Sequence, residues 1–404
     1  MEFELTEQER QIKDMANQFA KFVLRPMSLE ADRLHRMPDD FLLRIAAMRI
    51  MPGEGMDAGG ITGEEGEPGA AKDAKKKRSN GRLAMIGAEE LAWGDASILL
   101  CLPGPGLGGP PVRFMGTTEQ KERFFAIFKQ PGLHYGAYGL TEPGAGSDVS
   151  GIRTTCRKDG ADWVLNGRKC YITNGARADW VVIFATVDAT QGRAGHRAFV
   201  VEKGTPGFSV GKIEDKMGLR ASETAELVLE DCRVPGANLL GGEEHYASKQ
   251  GFMGAMKTFD ASRPMVGIMA VGIARAAFDH VREFVKEHYA IGRPIPRYGA
   301  ILATLGDMAR LIDAARLMCW RAAWLQDEGI SNAKEASMAK AFAARAAMKV
   351  CRDAVQILGA HGLEKHALVE KWYRDIKVFD IFEGTAQIQR IVIARRILRD
   401  SPSW

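Results

Sequence analysis

The hydrophobic pattern changes twice along the 404-residue chain, and this change restricts the fold more than any single motif does. Residues 1–132 carry apolar side chains mostly at helical spacing, whereas residues 133–240 hold short β-branched runs such as WVVIFATV and RAFVVE. From 241 to 404, long Ala-rich amphipathic stretches such as AKEASMAKAFAARAAMKVCRDAVQIL return. Because helices and strands are segregated, the pattern predicts an α+β multidomain chain. We expect an N-terminal helical domain, a middle antiparallel, barrel-like β domain and a C-terminal helical bundle.

Local signals place the ends of several elements. A capping box from Thr6 to Glu9 begins the first helix, and Pro26 ends or kinks it. Residues 52–81 are rich in Gly, Glu and Lys, which predicts a long loop. Gly359 closes the Ala-rich stretch as a C-cap.

Two Asx-Gly pairs lie within the predicted β region. Asp159-Gly160 and Asn166-Gly167 flank the run Ala161 to Leu165. Such pairs are strong signals of tight turns between antiparallel strands. We therefore expect a short strand with a turn at each end.

Composition excludes several classes of protein. There are 55 Lys and Arg against 51 Asp and Glu, a net charge of +4, without the basic stripe of a nucleic-acid binder. The six cysteines are scattered, which argues against a disulfide framework or a zinc cluster. No apolar run approaches the length of a membrane span, and the start MEFELTEQER has no targeting character. We expect a soluble intracellular protein that binds neither nucleic acid nor membrane.

The stretch ILLCLPGPGLGG has the Gly-x-Gly-x-x-Gly spacing of a dinucleotide-binding loop at Gly104, Gly106 and Gly109. That loop requires a strand before it and a full helix after the third glycine. Here Pro110 and Pro111 follow, and Gly116 arrives before two helical turns are complete. The spacing is therefore not interpreted as a nucleotide site.

Three other stretches hold residues suited to chemistry, each with a structural alternative. The loop YGLTEPGAGSD (138–148) either uses glycine for its conformation or presents N–H groups, Thr141 and Ser147 to a flat polar ligand. CYITNG (170–175) is a strand end and turn that also suits contact of Tyr171 and Thr173 with a ring system. In IFEGTAQIQR (381–390), Glu383 is either a first-turn or capping glutamate or a base whose pKa an apolar pocket raises.

Taken together, these motifs resemble the acyl-CoA dehydrogenase family, in particular members that act on medium or short chains. The similarity is carried by YGLTEPGAGSDVSG, YITNG, QILGAHGLEKHALVEKWYRD and IFEGTAQIQR, and it extends from LTEQER to the C-terminal helices. The family fold has an N-terminal helical domain, a middle β domain and a C-terminal four-helix bundle. Applied to this sequence, it gives domains at 1–132, 133–240 and 241–404.

The resemblance implies FAD as cofactor, an acyl-CoA thioester as substrate and trans-2-enoyl-CoA as product. Glu383 corresponds to the base that removes the α-proton, while the flavin accepts the β-hydrogen as hydride. Ser147, Asp260, Arg263 and Gly384 match positions that touch the substrate, and Gln356 matches one that reaches the flavin of a neighbouring subunit. The positions matching the flavin site are Tyr138, Leu140, Thr141, Ser147, Tyr171, Ile172, Thr173, Gln356, Thr385 and Gln387.

Some family members carry the base on another helix, just before an arginine. Here that position is Ser262, which precedes Arg263, so Glu383 is the well-placed candidate. The sequence departs from the family at His288, Ile291 and Gly299, where Arg, Phe and Gln are usual. Those departures put the family's cross-subunit flavin contacts in doubt.

The resemblance also implies an electron-transfer flavoprotein as electron acceptor, a homo-oligomer (tetramer or dimer) and a role in acyl-CoA catabolism. The expected location is the bacterial cytoplasm, or the mitochondrial matrix if the source is eukaryotic. The alternatives are an acyl-CoA oxidase, a monooxygenase-like or desulfinase-like enzyme, or a non-catalytic relative on the same fold. Retention of Glu383 favours dehydrogenation.

The segment ILLCLPGPGLGG aligns with a family helix that lines the acyl-chain pocket. Its glycines predict a roomier pocket floor, suited to branched, cyclic or aromatic acyl groups. On this hypothesis, filling the floor at Gly106 or Gly108 impairs turnover of bulky acyl-CoAs more than turnover of butyryl-CoA.

Overall fold

The computed structural model describes residues 3–48, 80–247 and 253–399 and, over residues 253–261, the backbone alone. Most of the loop predicted for residues 52–81 lies outside these ranges. Its predicted end was wrong, because Asn80 and Gly81 already begin a helix.

Helices make up the N-terminal region, as predicted. The capping box of Thr6 and Glu9 is formed, and a π-helical turn over Ala20–Leu24 interrupts the helix just before Pro26. The helices are α1 (Glu7–Phe19), α2 (Arg25–Leu34), α3 (Asp39–Met48), α4 (Asn80–Leu99), α5 (Gly109–Met115) and α6 (Thr118–Phe125).

A seven-stranded sheet forms the middle region. Four pairings are antiparallel (β2–β3, β3–β7, β4–β5 and β6–β7), but β1 runs parallel to β4, and β2 meets β4 in parallel at one residue pair. The sheet is therefore mixed, not antiparallel throughout. The strands are β1 (Gly136–Gly139), β2 (Thr155–Asp159), β3 (Asp162–Thr173), β4 (Trp180–Thr186), β5 (His196–Glu202), β6 (Phe208–Ile213) and β7 (Thr224–Pro235).

Of the two predicted tight turns, one is confirmed and one was wrong. Asp159 pairs with Asp162 across the β2–β3 turn. Asn166-Gly167 instead forms a bulge inside β3, with the register against β7 shifted between Leu165 and Gly167. The Asn166 amide exchanges two hydrogen bonds with Asp231 on β7, at 3.1 and 2.7 Å. An Asn-Gly pair suits both features because each needs unusual backbone angles.

The C-terminal region is helical. The predicted Ala-rich helix matches α10 from Ala333 to Leu358, and Gly359 follows with a φ of +59°. Alanine side chains let α10 pack closely on α8 and α9. The elements are α7 (Gly242–Ala247), α8 (Met253–Glu287), β8 (Tyr289–Ala290), β9 (Arg293–Pro294), α9 (Gly299–Asp327), α10 (Ala333–Leu358), α11 (Leu368–Phe379) and α12 (Ala386–Arg399).

One stretch within the described part of the chain meets the length and composition of a membrane span, contrary to the sequence expectation. The most apolar 18-residue window within Ser262–Glu287 of α8 has a mean hydropathy of 1.2, but 72% of that window is buried inside the protein. This burial is what a core helix of a folded domain requires.

A fully buried ion cluster joins the three regions. The Lys371 ammonium on α11 lies 2.8 Å from a carboxylate oxygen of Asp95 on α4 and 2.5 Å from one of Asp375. Asp375 also accepts the N–H of Leu219, from the middle region, at 2.6 Å. Asp95 has extended backbone where α4 is interrupted, and its carboxylate accepts the N–H of Ser97 at 2.8 Å. The charges thus fix α4, α11 and the Leu219 segment relative to one another.

We expect Lys371→Met to lower the free energy of unfolding by about 3–5 kcal/mol, because it leaves two buried carboxylates without their cation. Denaturant unfolding of both proteins measures this difference. The matched control is Lys286→Met, which removes an exposed lysine paired with Glu283 and should cost about 0–1 kcal/mol. Equal effects of the two substitutions would contradict the assignment.

Candidate active site

A cavity of about 2020 Å³ opens where the three regions meet. One small-molecule ligand usually occupies a pocket of about 300–1000 Å³, so this space suits two adjoining ligands. The walls come from α4 and the segment after it, from β1 and β3, and from α8 and the α11–α12 connection. The predicted site residues along these walls are Tyr138, Leu140, Thr141, Ser147, Tyr171, Ile172, Thr173, Arg263, Glu383, Gly384 and Thr385.

A buried ion pair, not anticipated from the sequence, holds the loop that carries Thr141 and Ser147. The Lys169 ammonium lies 2.7 Å from Glu142 Oε1 and donates to the carbonyl of Leu140 at 3.2 Å. Burial lowers the pKa of Lys169 to about 8, against the opposing effect of Glu142. Glu142 also accepts the N–H of Thr154 at 2.9 Å. The loop is thereby fixed against β3.

The end of β3 presents an aromatic edge to the cavity. The register against β7 shifts between Lys169 and Ile172, and Tyr171 takes a φ of +58°. Its side chain is 63% exposed while Ile172 is buried. The predicted turn follows, since the N–H of Gly175 donates to the carbonyl of Ile172. The left-handed residue at the bulge therefore turns the ring outward into the cavity.

Glu383 lies in the connection between α11 and α12, with its carboxylate at the cavity wall. Burial raises the pKa of this carboxyl, while the hydroxyl of Ser262 and the charges of Arg263 and Lys340 act in the opposite direction. Ser262 Oγ donates to Glu383 Oε2 at 2.8 Å. Thr385, not Glu383, caps α12 by accepting the N–H of Ile388 at 3.3 Å. The capping alternative for Glu383 is therefore wrong.

The backbone at Glu383 is strained. Glu383 and Gly384 both occupy the left-handed region, with φ values of +56° and +87°. A non-glycine residue there costs of order 1–3 kcal/mol, which the surroundings must offset. The buried Gln389 amide donates to both carbonyls, at 3.1 and 3.0 Å. A Cβ on Gly384 would lie 2.6 Å from that amide nitrogen, so glycine is required.

The cavity has an apolar end, and charged side chains line other parts of it. Small and apolar side chains from α4, α8 and the α11–α12 connection form the apolar end: Ala84, Ala88, Val266, Met269 and Phe382. The charged lining residues include basic side chains (Arg113, Lys121, Lys129, Arg193 and Lys216) and acidic ones (Glu122, Asp148, Glu214 and Asp215). This mixture suits a ligand with an apolar portion and a charged portion.

The glycine-rich segment follows a helix, not a strand, so it is no dinucleotide loop. The helix that begins at Gly109 ends at Met115, before two turns are complete. Gly106 lines the cavity, but a Cβ on Gly108 would lie 2.5 Å from the carbonyl oxygen of Ala137. Gly108 therefore serves close packing on β1, and the hypothesis that it widens the pocket is wrong.

Three predicted residues are not among those lining the cavity. Gln356 and Gln387 are exposed on α10 and α12. Asp260 lies on α8 within the stretch whose side chains are outside the described structure. Among the departures from the family pattern, Ile291 is 95% exposed, and His288 Nδ1 lies 2.8 Å from the carbonyl oxygen of Phe284.

Family models match almost the whole chain: acyl-CoA dehydrogenase N-terminal domain over residues 6–127, middle domain over 137–232 and C-terminal domain over 249–398. The chain belongs to the acyl-CoA dehydrogenase family. As a member of this flavin-dependent family, it is an oxidoreductase that catalyses α,β-dehydrogenation of an acyl-CoA thioester.

Individual members agree with this assignment. Cyclohexane-1-carbonyl-CoA dehydrogenase of Syntrophus aciditrophicus is 44% identical, over 80% of this chain and 82% of that protein. The structure of butyryl-CoA dehydrogenase from Megasphaera elsdenii has 36% identity and a TM-score of 0.85, over 99% of this chain and 100% of that chain. A chain from a structure of the electron transferring flavoprotein of Acidaminococcus fermentans has 39% identity and a TM-score of 0.85, at the same coverage.

We expect Ser262→Ala to raise the pKa of the Glu383 carboxyl further, because it removes a hydrogen bond to the charged form. A hydrogen bond to a charged group contributes about 1.5–3 kcal/mol, which corresponds to roughly one pH unit or more. An infrared titration of the carboxyl band, with Glu383→Gln as the reference spectrum, measures the shift. An unchanged or lowered pKa would contradict the Ser262–Glu383 contact.

Proposed function

We propose that the flavin is FAD and that it lies along the wall formed by β1, β3 and the loop after β1. The fit rests on the chemistry of that wall: the exposed ring of Tyr171 and the hydroxyls of Thr141, Ser147 and Thr173. Tyr138, Leu140, Ile172 and Thr385 line the same cavity. Gln356 is assigned to the FAD of a neighbouring subunit, and Gln387 is assigned to the FAD site although it does not line this cavity. When bound, FAD accepts the β-hydrogen of the substrate as hydride.

Glu383 is the proposed catalytic base. The observation that carries this assignment is a half-buried carboxylate at the cavity wall, held there by the Ser262 hydroxyl, with its pKa raised by desolvation. A raised pKa brings a carboxylate closer to neutral pH and makes it a better proton acceptor. Glu383 thus removes the α-proton, and its backbone N–H binds the thioester oxygen as charge develops there.

The thioester is proposed to enter with its CoA portion toward basic side chains of the cavity lining. Ser147, Arg263 and Gly384 line the path and are assigned to substrate contact, together with Asp260. A basic side chain such as Arg193 suits the phosphate groups of CoA. The apolar end then receives the acyl chain.

The remaining assignments concern partners and organisation. An electron-transfer flavoprotein is the proposed electron acceptor, supported by the family and by the neighbour from Acidaminococcus fermentans. A homo-oligomer, tetramer or dimer, is supported by exposed apolar side chains on the C-terminal helices, such as Leu363 and Leu398 at 71% and 86% exposure. We retain 1–132, 133–240 and 241–404 as domain limits, and the bacterial cytoplasm or mitochondrial matrix as the location.

A bulky acyl group is the proposed substrate type. Ala84 and Ala88, one turn apart on α4, leave the apolar end wide where longer side chains would fill it. The similarity to a cyclohexane-1-carbonyl-CoA dehydrogenase supports the same type of acyl group.

Substitution Glu383→Gln should leave flavin binding intact and lower kcat by about 10²–10⁴, the usual contribution of a positioned base. Anaerobic bleaching of the bound flavin by acyl-CoA measures the step directly. The matched control Glu364→Gln, at an exposed position of the same region, should bleach at the wild-type rate. Near-wild-type bleaching in Glu383→Gln would refute the assignment.

Filling the apolar end with Ala88→Leu should lower kcat/KM for cyclohexane-1-carbonyl-CoA at least tenfold more than for butyryl-CoA, a difference of about 1.4 kcal/mol. The larger ring competes for the space that the added leucine occupies. Flavin content and the unfolding temperature show whether the variant is intact. Equal losses of kcat/KM on the two substrates would argue against the apolar end of the cavity as the acyl site.

A further inference from the structure

Lys340 is a buried lysine that the assignments above leave without a role. It lies on α10 with no solvent exposure, and it is not among the residues that line the cavity. Its ammonium donates to the carbonyl of Gly384 at 2.7 Å. The Gln389 amide donates to the same carbonyl. Lys340 therefore binds the Glu383–Gly384 turn without lining the cavity.

The turn needs such support because two successive residues have left-handed backbone. Left-handed backbone is unfavourable at Glu383, with φ values of +56° there and +87° at Gly384, and hydrogen bonds to the Gly384 carbonyl help to hold the turn in this conformation. Gln389 supplies a neutral donor, and Lys340 adds a charged one, which forms a stronger bond. The pair of donors therefore holds Glu383 in one orientation at the cavity wall.

The positive charge of Lys340 also acts on the carboxylate itself. The charged groups around Lys340 are Glu383 and Asp380, which favour its protonated form, and Arg263, which opposes it. Burial lowers the pKa of Lys340 to about 8, so the ammonium predominates at neutral pH. Lys340 in turn lowers the pKa of Glu383, together with Ser262 and Arg263.

We propose that Lys340 is a positioning residue for Glu383: it locks the left-handed turn through the Gly384 carbonyl, directs the carboxylate at the substrate and places a positive charge next to that turn. This proposal rests on the proposed function of Glu383 as the base. Because Lys340 does not line the cavity, it acts only through the Glu383–Gly384 turn.

The decisive variant is Lys340→Met, which keeps the chain length and removes both donor and charge. We expect kcat to fall at least tenfold with KM for butyryl-CoA within a factor of three. The acid limb of the kcat/KM profile should move up by about one pH unit, because a nearby cation no longer favours the ionised carboxylate. Flavin content should equal that of the wild type.

Two further lysine variants separate charge from structure. Lys340→Arg keeps the charge, so its acid limb should stay near the wild-type position. Lys340→Gln keeps a donor without charge, so its limb should move up even if Lys340→Met does not fold. Lys349→Met is the matched control, because Lys349 is a half-exposed lysine on the same helix that pairs with Asp353 away from the turn, and it should change neither kcat nor the pH at which activity falls on the acid side.

Each outcome decides the question. The proposal is supported if kcat falls and the acid limb of the kcat/KM profile moves to higher pH in the Met or Gln variant. The proposal is overturned, and Lys340 has only a structural role, if the acid limb stays in place in both the Met and Gln variants. The same conclusion follows if a variant loses flavin without any shift of the acid limb. Glu383→Gln, measured in parallel, separates the two proposals. If that variant retains turnover, the base assignment fails; if it is inactive while the lysine variants are normal, only the role of Lys340 fails.

Discussion

The buried contact of Lys371 with Asp95 and Asp375 is the constraint on which the rest of the structure depends. An unpaired buried charge is very costly, so all three groups must arrive together for the chain to fold. Two of them lie on α11 and one lies at the interruption of α4, while Asp375 also binds the backbone of the middle region. The cavity is the space left between the elements that this cluster holds. The chain leaves α11 only a few residues before Glu383, so the position of the candidate base follows from the same contact.

Buried ammonium groups hold two of the irregular segments that border the cavity. Lys169 fixes the loop after β1 through Glu142 and the Leu140 carbonyl, and Lys340 binds the Gly384 carbonyl. Irregular backbone cannot satisfy its own polar groups as a helix or sheet does, so a buried loop needs donors from elsewhere. A long lysine side chain reaches such a carbonyl from a neighbouring helix or strand. The regular elements thus provide the framework, and single charged donors orient the loops that meet the ligands.

Periodicity and caps were enough to predict the helical, β and helical regions and the bounds of α10, because these features are local. The bulge at Asn166-Gly167 was mistaken for a turn, because the same two residues satisfy either backbone geometry. Glu383 was found from a motif, yet Ser262, Gln389 and Lys340 were not assigned to it. Lys340 in an Ala-rich amphipathic helix has the pattern of a solvated lysine. Its burial depends on a loop 44 residues further along the chain, and no local pattern reports that contact.

The close packing of the glycine-rich segment on β1 has a consequence for how this enzyme could adapt to other substrates. Gly108 and Gly136 are packed against backbone atoms and the ring of Trp180. A Cβ added at either glycine would lie less than 3 Å from these atoms. A side chain at either position would displace β1, so neither glycine can be enlarged. Variation in acyl size among descendants of this sequence is therefore easier to accommodate on the helical side of the cavity. There, an alanine can be exchanged for a larger residue without disturbing the strands that the flavin is proposed to lie against.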